Sequence, residues 1–198
     1  MTIFGMKEYF RSLIALLKRQ RTMKKTLTAK LKKIKLLATD VDGVLTDSGA
    51  YYSEDGVELK KFSIRDGLGI VLLRKAGYKV AIVTTENTKI VEKRAQRLQV
   101  DDLHQGVFNK LEAIELLLKK YSLDWDEVAF NGDDINDIPV LKKVGFAAAP
   151  ADATPANKKS VHYVTHSNGG HGCVREVCDL LLALRWKGDS ITELWLKK

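Results

Sequence analysis

Short apolar runs and amphipathic stretches alternate along most of the chain. Residues 34–40 and 78–84 are rich in apolar and β-branched side chains, which is the pattern of buried strands. Residues 87–99 and 110–121 carry apolar side chains three and four positions apart, which predicts helices with one buried face. Strands that alternate with helices indicate right-handed βαβ units, so we predict an α/β fold with a Rossmann-like, doubly wound parallel sheet. Further strands are predicted at residues 102–105, 127–130, 145–148 and 161–164, and further helices at 66–76, after 137 through 143, and 172–184.

The segment between the first two predicted strands has a different pattern. Residues 51–53 and 57–62 are rich in β-forming side chains and flank Glu54-Asp55-Gly56. An Asp-Gly pair between two such runs is typical of a tight hairpin turn. We therefore predict a β-hairpin inserted after the first strand.

Positive charge is concentrated at the amino-terminal end. The chain of 198 residues has a net charge of +8, but residues 1–33 contain ten Lys or Arg and a single acidic residue, Glu8. Residues 34–198 contain 23 basic and 24 acidic residues and are nearly neutral. We therefore divide the chain into a basic extension, residues 1–33, and one globular domain, residues 34–198. A nearly neutral domain argues against nucleic-acid binding as the main function.

The basic extension contains a short amphipathic pattern. Its apolar side chains at Phe10, Leu13, Ile14 and Leu17 have helical spacing, and basic side chains lie off that face. Weak contact with a membrane surface and a solvated extension are the two interpretations. Residues 21–33 are expected to be solvated or loosely helical. The apolar run is too short for a secretory signal, whereas an organelle transit peptide stays open.

Cysteine content and hydropathy suggest the compartment. Cys173 and Cys178 are the two cysteines, and they fit neither a disulfide framework nor a metal motif. No apolar run approaches the length of a membrane span. We expect a protein of the reducing cytoplasm.

Two aspartates at the end of the first predicted strand suggest a metal site. Asp40 and Asp42 are one residue apart, so their side chains point to the same side, and Gly43 allows a sharp turn and a close approach to a ligand. Because the two carboxylates repel each other they need a cation, and Mg²⁺ suits oxygen ligands. A calcium-binding loop would require glycine and glutamate where Leu45 and Tyr51 stand, so it is excluded. An Asx turn without a metal is the alternative for the isolated motif.

Two further polar clusters follow predicted strands. They are Thr84-Thr85-Glu86 and Asp133-Asp134. Ligands of doubly wound sheets bind beyond the carboxyl ends of the strands, so we expect these clusters to share one site with the first two aspartates. If the ligand is a phosphate monoester, each close pair of like charges costs about 4 kcal/mol at an effective dielectric of about 20. Mg²⁺ and a lysine would offset that repulsion.

The remaining site residues are assigned by their positions. Lys110 begins a helix after the third predicted strand of the sheet and can reach the phosphoryl oxygens, and the Thr84 hydroxyl can donate to them. Asp133 offers a third metal carboxylate, which Asp134 and Asp137 could hold in place together with the lysine. The structural alternatives are a solvated lysine, a helix N-cap for the threonine, and stabilisation of a helix terminus by the aspartates.

The four stretches together resemble the haloacid dehalogenase superfamily of phosphatases. The resemblance covers residues 34–184 and rests on D-x-D-G at Asp40, Thr84, Lys110 and G-D-D-x-N-D from Gly132. It implies that Asp40 is the nucleophile and forms an aspartyl-phosphate, and that Asp42 is the acid/base. It also implies that Thr84 and Lys110 bind the phosphoryl group. Mg²⁺ would be held by the side chains of Asp40 and Asp133 and by the backbone carbonyl of Asp42.

One branch of the superfamily is similar in more detail. Members often carry a cap domain, but 41 residues between Asp42 and Thr84 and 25 between Thr84 and Lys110 leave room for a hairpin only. The hairpin, the turn Arg65-Asp66-Gly67 and the stretch from Gly169 to Glu176 resemble the capless 3-deoxy-manno-octulosonate 8-phosphate phosphatases and their nonulosonate 9-phosphate relatives. The resemblance implies a homotetramer in which a neighbouring subunit helps to close the site, a sugar-phosphate substrate and a role in lipopolysaccharide biosynthesis.

Three functions follow from this resemblance. The first is hydrolysis of the octulosonate phosphate. The second is hydrolysis of a nonulosonate phosphate, because this chain has Thr84-Thr85-Glu86 where octulosonate phosphatases usually have Thr-Gly-Arg. Glu86 would prefer hydroxyls or an amine, and Arg65 or a neighbouring chain would bind the sugar carboxylate. The third, an inactive tetramerising relative, would have lost the nucleophile or the metal carboxylates, and all of them are present.

Overall fold

The computed structural model describes residues 23–185 and 191–196. Six parallel strands form a central sheet, and two short antiparallel strands form a hairpin outside it. The strands are β1 (Leu36–Thr39), β2 (Tyr51–Tyr52), β3 (Glu58–Leu59), β4 (Lys79–Val83), β5 (Asp102–His104), β6 (Val128–Asn131), β7 (Phe146–Ala149) and β8 (Tyr163–Val164). The helices are α1 (Met23–Lys33), α2 (Ile64–Lys75), α3 (Lys89–Leu98), α4 (Lys110–Tyr121), α5 (Ile138–Leu141), α6 (Pro155–Lys158), α7 (Cys173–Arg185) and α8 (Ile191–Leu196).

The sheet confirms the predicted fold class. Its order is β5-β4-β1-β6-β7-β8, and all five neighbouring pairs are parallel. In the register, Thr39 at the end of β1 lies opposite Ile82 of β4 and Asn131 of β6. The residues that follow these three strands therefore meet at one edge of the sheet, where ligands of such folds bind. The described residues between β1 and β4 form the predicted hairpin and α2, with no cap domain.

Apolar layers cover both faces of the sheet. On one face, side chains of α1, α2, α3, α7 and α8 pack against alternate strand residues such as Leu37 and Ile82. On the other face, α4 and α5 pack against the residues between them, such as Ala38 and Ala81. Burial on both faces explains why the central strands have continuous apolar sequences. No helix among the described residues is both long and apolar enough to cross a membrane.

The amino-terminal helix corrects one expectation. Residues 23–33 were expected to be solvated or loosely helical, but they form α1, and Leu31 is only 1% exposed within the core. Leu27 packs against the same cluster, because residues four apart share one helix face. Lys33 pairs with Asp126 at 2.9 Å. The amphipathic pattern at residues 10–17 lies outside the described residues, and the division of the chain at residue 33 stays a prediction.

The segment after β6 corrects a second expectation. A helix was predicted after residue 137 through Lys143, and the structure has the helix α5 there but ends it at Leu141, with a 3₁₀ turn at Ile135–Asp137 before it. Pro139 has no amide hydrogen and therefore fits only the first turn of a helix. The Asp137 side chain also points inward rather than to solvent, and it is completely buried.

Candidate active site

The turn after β1 presents the first candidate nucleophile. The amide of Asp40 donates to the carbonyl of Asn131 at 3.0 Å, which extends the pairing of β1 with β6 by one residue. The Asp40 side chain is 5% exposed, and its Oδ1 accepts from the amide of Val41 at 2.7 Å. Gly43 has φ +77°, and a Cβ atom there would lie 1.9 Å from Asp133 Oδ2. The turn therefore requires glycine, because it brings the backbone against a carboxylate of the neighbouring strand end.

Lys110 lies between two buried carboxylates. Its Nζ is 2.6 Å from Asp40 Oδ2 and 2.6 Å from Asp137 Oδ1, and the residue is 2% exposed. Burial alone would lower the pKa of Lys110, but the two carboxylates raise it overall, so the ammonium group stays charged. The alternative of a solvated surface lysine is wrong.

Three carboxylates form a compact cluster. One oxygen from each of Asp40, Asp133 and Asp137 lies within 4.8 Å of the other two. Burial, with the Asp137 charge next, raises the pKa of Asp40 to about 7. Burial, with the Asp40 charge next, likewise raises the pKa of Asp133 to about 7. A single lysine leaves negative charge in excess here, so the cluster fits an oxygen-liganded divalent cation, which would favour the ionised carboxylates.

The carboxylates of Asp133, Asp134 and Asp137 differ in the hydrogen bonds that they accept, and this indicates a different role for each. Asp137 uses Oδ1 for Lys110, and its Oδ2 accepts from the amides of Asp133 at 2.8 Å and Asp134 at 3.4 Å. It therefore fixes the loop and the lysine, as expected for a supporting residue. No described residue donates to the Asp133 carboxylate, which leaves that group available to a cation. Asp134 is exposed and accepts from the amide of Ile135 at 2.7 Å, so it occupies the helix-terminal position given above as its alternative.

Asp42 lies beside this cluster and not within it. Its side chain is 38% exposed, and its Oδ1 accepts from Lys60 Nζ at 2.8 Å and from Thr46 Oγ1 at 3.2 Å. The metal assignment to Asp42 rests on its backbone carbonyl and stays a prediction. Both of these side-chain bonds go to Oδ1, so Oδ2 is available for the acid/base role that the sequence suggests.

The loop after β4 contributes hydroxyl groups. Thr84 is 1% exposed, and its Oγ1 accepts from the amide of Glu86 at 3.2 Å. The alternative of a helix N-cap is wrong for Thr84, because α3 begins at Lys89 and is capped by Thr88. Thr85 Oγ1 lies 3.5 Å from Asn136 Nδ2, which links this loop to the loop after β6.

These groups surround one pocket of about 380 Å³. Five of its lining residues are acidic and, within the part of the chain that the structure describes, none is basic. Arg65, at the start of α2, is exposed and does not line the pocket, so its predicted contact with substrate stays a prediction. The lining consists of Asp40, Asp42, Ser48, Thr84, Thr85, Glu86, Asp133, Asp134, Ile135 and Asn136.

Two motifs noted in the sequence, Arg65-Asp66-Gly67 and residues 169–176, lie next to the turn that follows β1. Asp66 accepts from the amide of Gly172 at 3.1 Å and from the amide of Arg175 at 2.7 Å, and so holds the start of α7. A Cβ atom on Gly169 would lie 2.0 Å from the carbonyl oxygen of Gly43. The loop before α7 is thus pressed against the turn that carries Asp40 and Asp42. The sequence shows both motifs, but it does not predict their contact with each other or with the turn.

Comparisons with known proteins agree with this geometry. A family model described as haloacid dehalogenase-like hydrolase matches residues 95–177. The 3-deoxy-D-manno-octulosonate 8-phosphate phosphatase of Salmonella typhi is 47% identical over 161 residues, which cover 81% of this chain and 86% of that protein. The Escherichia coli K12 enzyme of the same name is 47% identical over 162 residues, covering 82% and 86%.

Solved structures give the same result. The 3-deoxy-D-manno-octulosonate 8-phosphate phosphatase of Yersinia pestis aligns with TM-score 0.79 and 42% identity, over 81% of this chain and 86% of that one. The enzyme of the same name from Moraxella catarrhalis, solved in complex with magnesium ion, phosphate ion and a KDO molecule, aligns with TM-score 0.78 and 36% identity, over 80% and 91%.

Proposed function

The chain belongs to the haloacid dehalogenase-like hydrolases, in the family of the 3-deoxy-D-manno-octulosonate 8-phosphate phosphatases, and from this premise we propose that it hydrolyses 3-deoxy-D-manno-octulosonate 8-phosphate. The observation that carries the proposal is the position of Asp40: it is buried at the end of β1, with Lys110 bonded to one oxygen and the Asp133 carboxylate beside it. The product would serve lipopolysaccharide biosynthesis.

Mg²⁺ is the proposed cofactor. The relative from Moraxella catarrhalis was solved with a magnesium ion, and the carboxylates of this chain fit such an ion. The side chains of Asp40 and Asp133 and the backbone carbonyl of Asp42 would hold it. When bound, Mg²⁺ supplies positive charge that offsets the repulsion between these carboxylates and the phosphoryl oxygens.

In the first half of the reaction, a carboxylate oxygen of Asp40 attacks phosphorus. The bond between phosphorus and the sugar oxygen breaks, its electron pair goes to that oxygen, and the oxygen takes a proton from Asp42. Lys110 stabilises the charge on the phosphoryl group, and the hydroxyl of Thr84 donates a hydrogen bond to it. The products of this half are the free sugar acid and an aspartyl-phosphate at Asp40.

In the second half, water attacks the phosphorus of the aspartyl-phosphate. The carboxylate of Asp42 takes a proton from that water, and the bond between phosphorus and the Asp40 oxygen breaks. Inorganic phosphate leaves, and both aspartates return to their starting states. Asp42 can serve in both halves because its half-exposed side chain lines the pocket.

The acidic pocket favours a second candidate substrate, a nonulosonate 9-phosphate. Glu86 is exposed and lines the pocket, where it would accept hydrogen bonds from the additional hydroxyl or amine groups of a nine-carbon sugar, although it would repel the carboxylate that both sugar acids carry. A basic group must then bind that carboxylate, either Arg65 or a group of a neighbouring subunit. Because Arg65 does not line the pocket, we propose that a neighbouring subunit of a homotetramer supplies this group, and the exposed Tyr52 and Leu59 of the hairpin support an interface there. We also propose a cytoplasmic location, which the two free cysteines support.

The test is phosphate release by the full chain with Mg²⁺ from both sugar phosphates. We expect turnover of octulosonate 8-phosphate that is lost with EDTA, returns with Mg²⁺, and is absent from Asp40→Asn. Faster release from the nonulosonate 9-phosphate would favour the second candidate. Release from neither compound would overturn both.

A further inference from the structure

Two adjacent lysines after the hairpin point in different directions. Lys61 has a side chain 52% exposed and pairs with Asp47 at 3.0 Å, outside the pocket. Lys60 has a side chain only 8% exposed, and its Nζ lies 2.8 Å from Asp42 Oδ1 and 3.4 Å from Glu58 Oε1. A lysine normally keeps its ammonium group in water, so the burial of Lys60 beside Asp42 requires an explanation.

The base of the hairpin is fixed against the turn that carries Asp42. Thr46 and Phe62 form an antiparallel bridge. Arg94 lies over the Phe62 ring at 5.2 Å and donates to the carbonyl of Ser63 at 2.8 Å. Lys60 is two residues from Phe62 along this segment, so its approach to Asp42 is set by backbone pairing and packing as well as by its own ion pair.

The two oxygens of Asp42 have different surroundings. Oδ1 accepts from both Lys60 and Thr46, whereas Oδ2 accepts from no described residue. The carboxylate lines the pocket beside Asp40. Two donors on one oxygen restrict rotation of the carboxylate and leave the other oxygen available for proton exchange with the substrate or with water.

We propose that Lys60 is a positioning residue for Asp42, a role that rests on the proposed phosphatase function. The ammonium group holds Oδ1 so that Oδ2 faces the reacting group, and the hairpin thereby becomes part of the proton-transfer apparatus. Thr46 alone, at 3.2 Å, would leave the carboxylate more rotational freedom. The ion pairs of Lys60 among the described residues go to Asp42 and Glu58, and none goes to the nucleophile Asp40.

The experiment compares two leaving groups. A sugar alkoxide needs a proton from Asp42 in order to leave, whereas p-nitrophenolate leaves with little protonation. Because Asp42 also acts in the second half, which both substrates share, the first half is measured alone, as leaving-group release in a single turnover with enzyme in excess. For Lys60→Met we expect this rate to fall about 30-fold with octulosonate 8-phosphate, within the range for a weakened general acid, and less than about threefold with p-nitrophenyl phosphate. KM for the sugar phosphate should change less than about threefold, because a residue that only positions Asp42 does not contribute to binding of the substrate.

Matched variants complete the design. Asp42→Asn should show the same imbalance between the two single-turnover rates, but larger, while its steady-state phosphate release is lost with both substrates. Lys60→Arg should recover part of the lost single-turnover rate, because it keeps a charged donor. Lys61→Met should leave the ratio of the two activities unchanged. If Lys60→Met is insoluble, Lys60→Ala is read in the same way.

Several outcomes would overturn the role of Lys60. Equal losses of the single-turnover rate on both substrates would indicate a general structural effect, and a raised KM with an unchanged single-turnover rate would indicate substrate binding. Unchanged kinetics would show that the ion pair is unimportant. A wild-type chain that hydrolyses neither compound would instead refute the proposed function, so the two failures are distinguishable.

Discussion

Lys110 Nζ lies 2.6 Å from Asp40 Oδ2, and both side chains are almost excluded from solvent. Asp137 accepts from the same ammonium group at 2.6 Å. Such a group of buried charges is stable only while every member is paired, because an isolated charge in the interior loses its hydration. The stability and the chemistry of this protein therefore depend on the same three side chains.

Lys110→Met should reduce both activity and stability. It leaves Asp40 and Asp137 without their shared cation, so we expect the free energy of unfolding at pH 8 to fall by about 3 kcal/mol. The loss should be smaller at pH 5.5, where Asp40, with a pKa of about 7, is protonated. Urea unfolding at both pH values measures this, and Lys120→Met, on the exposed side of α4, is the control. Equal losses at the two pH values would contradict the electrostatic explanation.

Asp40→Asn and Asp42→Asn should each abolish phosphate release without unfolding the protein. The first removes the nucleophile, and the second removes a proton transfer that contributes about 10²- to 10⁴-fold. Asp55→Asn, in the exposed hairpin turn, should keep wild-type turnover. Near-normal turnover by Asp40→Asn would rule out the aspartyl-phosphate.

The stabilisation by Mg²⁺ should depend on pH. The pKa values of Asp40 and Asp133 are raised to about 7, so from about pH 4 to 7 the folded chain binds more protons than the unfolded chain. Without a metal, these two groups therefore lower stability as the pH rises through that window. Mg²⁺ competes with the protons, so its apparent affinity should be at least about tenfold weaker at pH 5.5 than at pH 8.

The measurement is the increase in Tm on adding Mg²⁺ at the two pH values. We expect a clearly larger increase at pH 8. Asp133→Asn should abolish most of it, whereas Asp124→Asn, on the exposed surface, should not. An increase that does not depend on pH would contradict the assignment of these carboxylates to the metal.

Helix α1 should contribute to the stability of the domain. Leu31 is 1% exposed, so Leu31→Ala should lower the free energy of unfolding by about 2–4 kcal/mol. Lys32→Ala, on the exposed side of the helix, is the control.

Deletion of residues 1–22 should leave turnover and oligomer mass unchanged and reduce adhesion to anionic vesicles, at about 1 kcal/mol for each basic residue lost. Dissociation of that truncated chain into monomers would show instead that these residues are structural.

Glu86→Arg should change substrate preference. The glutamate lines the pocket, where it can accept hydrogen bonds from the extra hydroxyl or amine groups of a nine-carbon sugar acid, and an arginine there would lose these bonds while pairing with the carboxylate that both sugars carry. We expect kcat/KM for octulosonate 8-phosphate to rise at least about tenfold relative to that for nonulosonate 9-phosphate. Glu92→Arg, farther along α3 and outside the pocket lining, is the matched control. An unchanged ratio would remove Glu86 from the specificity residues.

Much of the site could be predicted because parallel strands end at one edge of the sheet. Asp40 follows β1, Thr84 follows β4, and Asp133 comes two residues after β6, so alternation of strands and helices is enough to bring them together. Lys110 is predicted in the same way, since it begins the helix after β5. The depth of its burial could not be predicted, because it depends on Asp137 turning inward.

Contacts made by irregular segments were not predictable from the pattern. Lys60 and Lys61 are indistinguishable in sequence, and only the pairing of the hairpin base decides which one reaches Asp42. Basic side chains predominate in the sequence of α1, so the apolar face that Leu27 and Leu31 form was not predicted. Arg65 was predicted from a neighbouring motif, and the structure shows it exposed at the start of α2 and outside the lining of the pocket.

The contact of Gly169 with Gly43 has a consequence for synthesis on the ribosome. The nucleophile, the acid/base, the lysine and the metal carboxylates all emerge before the loop that supports their turn, since chains are made from the amino-terminal end. A nascent chain ending near residue 160 would therefore contain all of the proposed catalytic residues. It would lack the loop before α7, which packs against the turn that carries Asp40 and Asp42. We expect activity to appear only after the loop that contains Gly169 has left the exit tunnel, well after the last of the proposed catalytic residues has emerged.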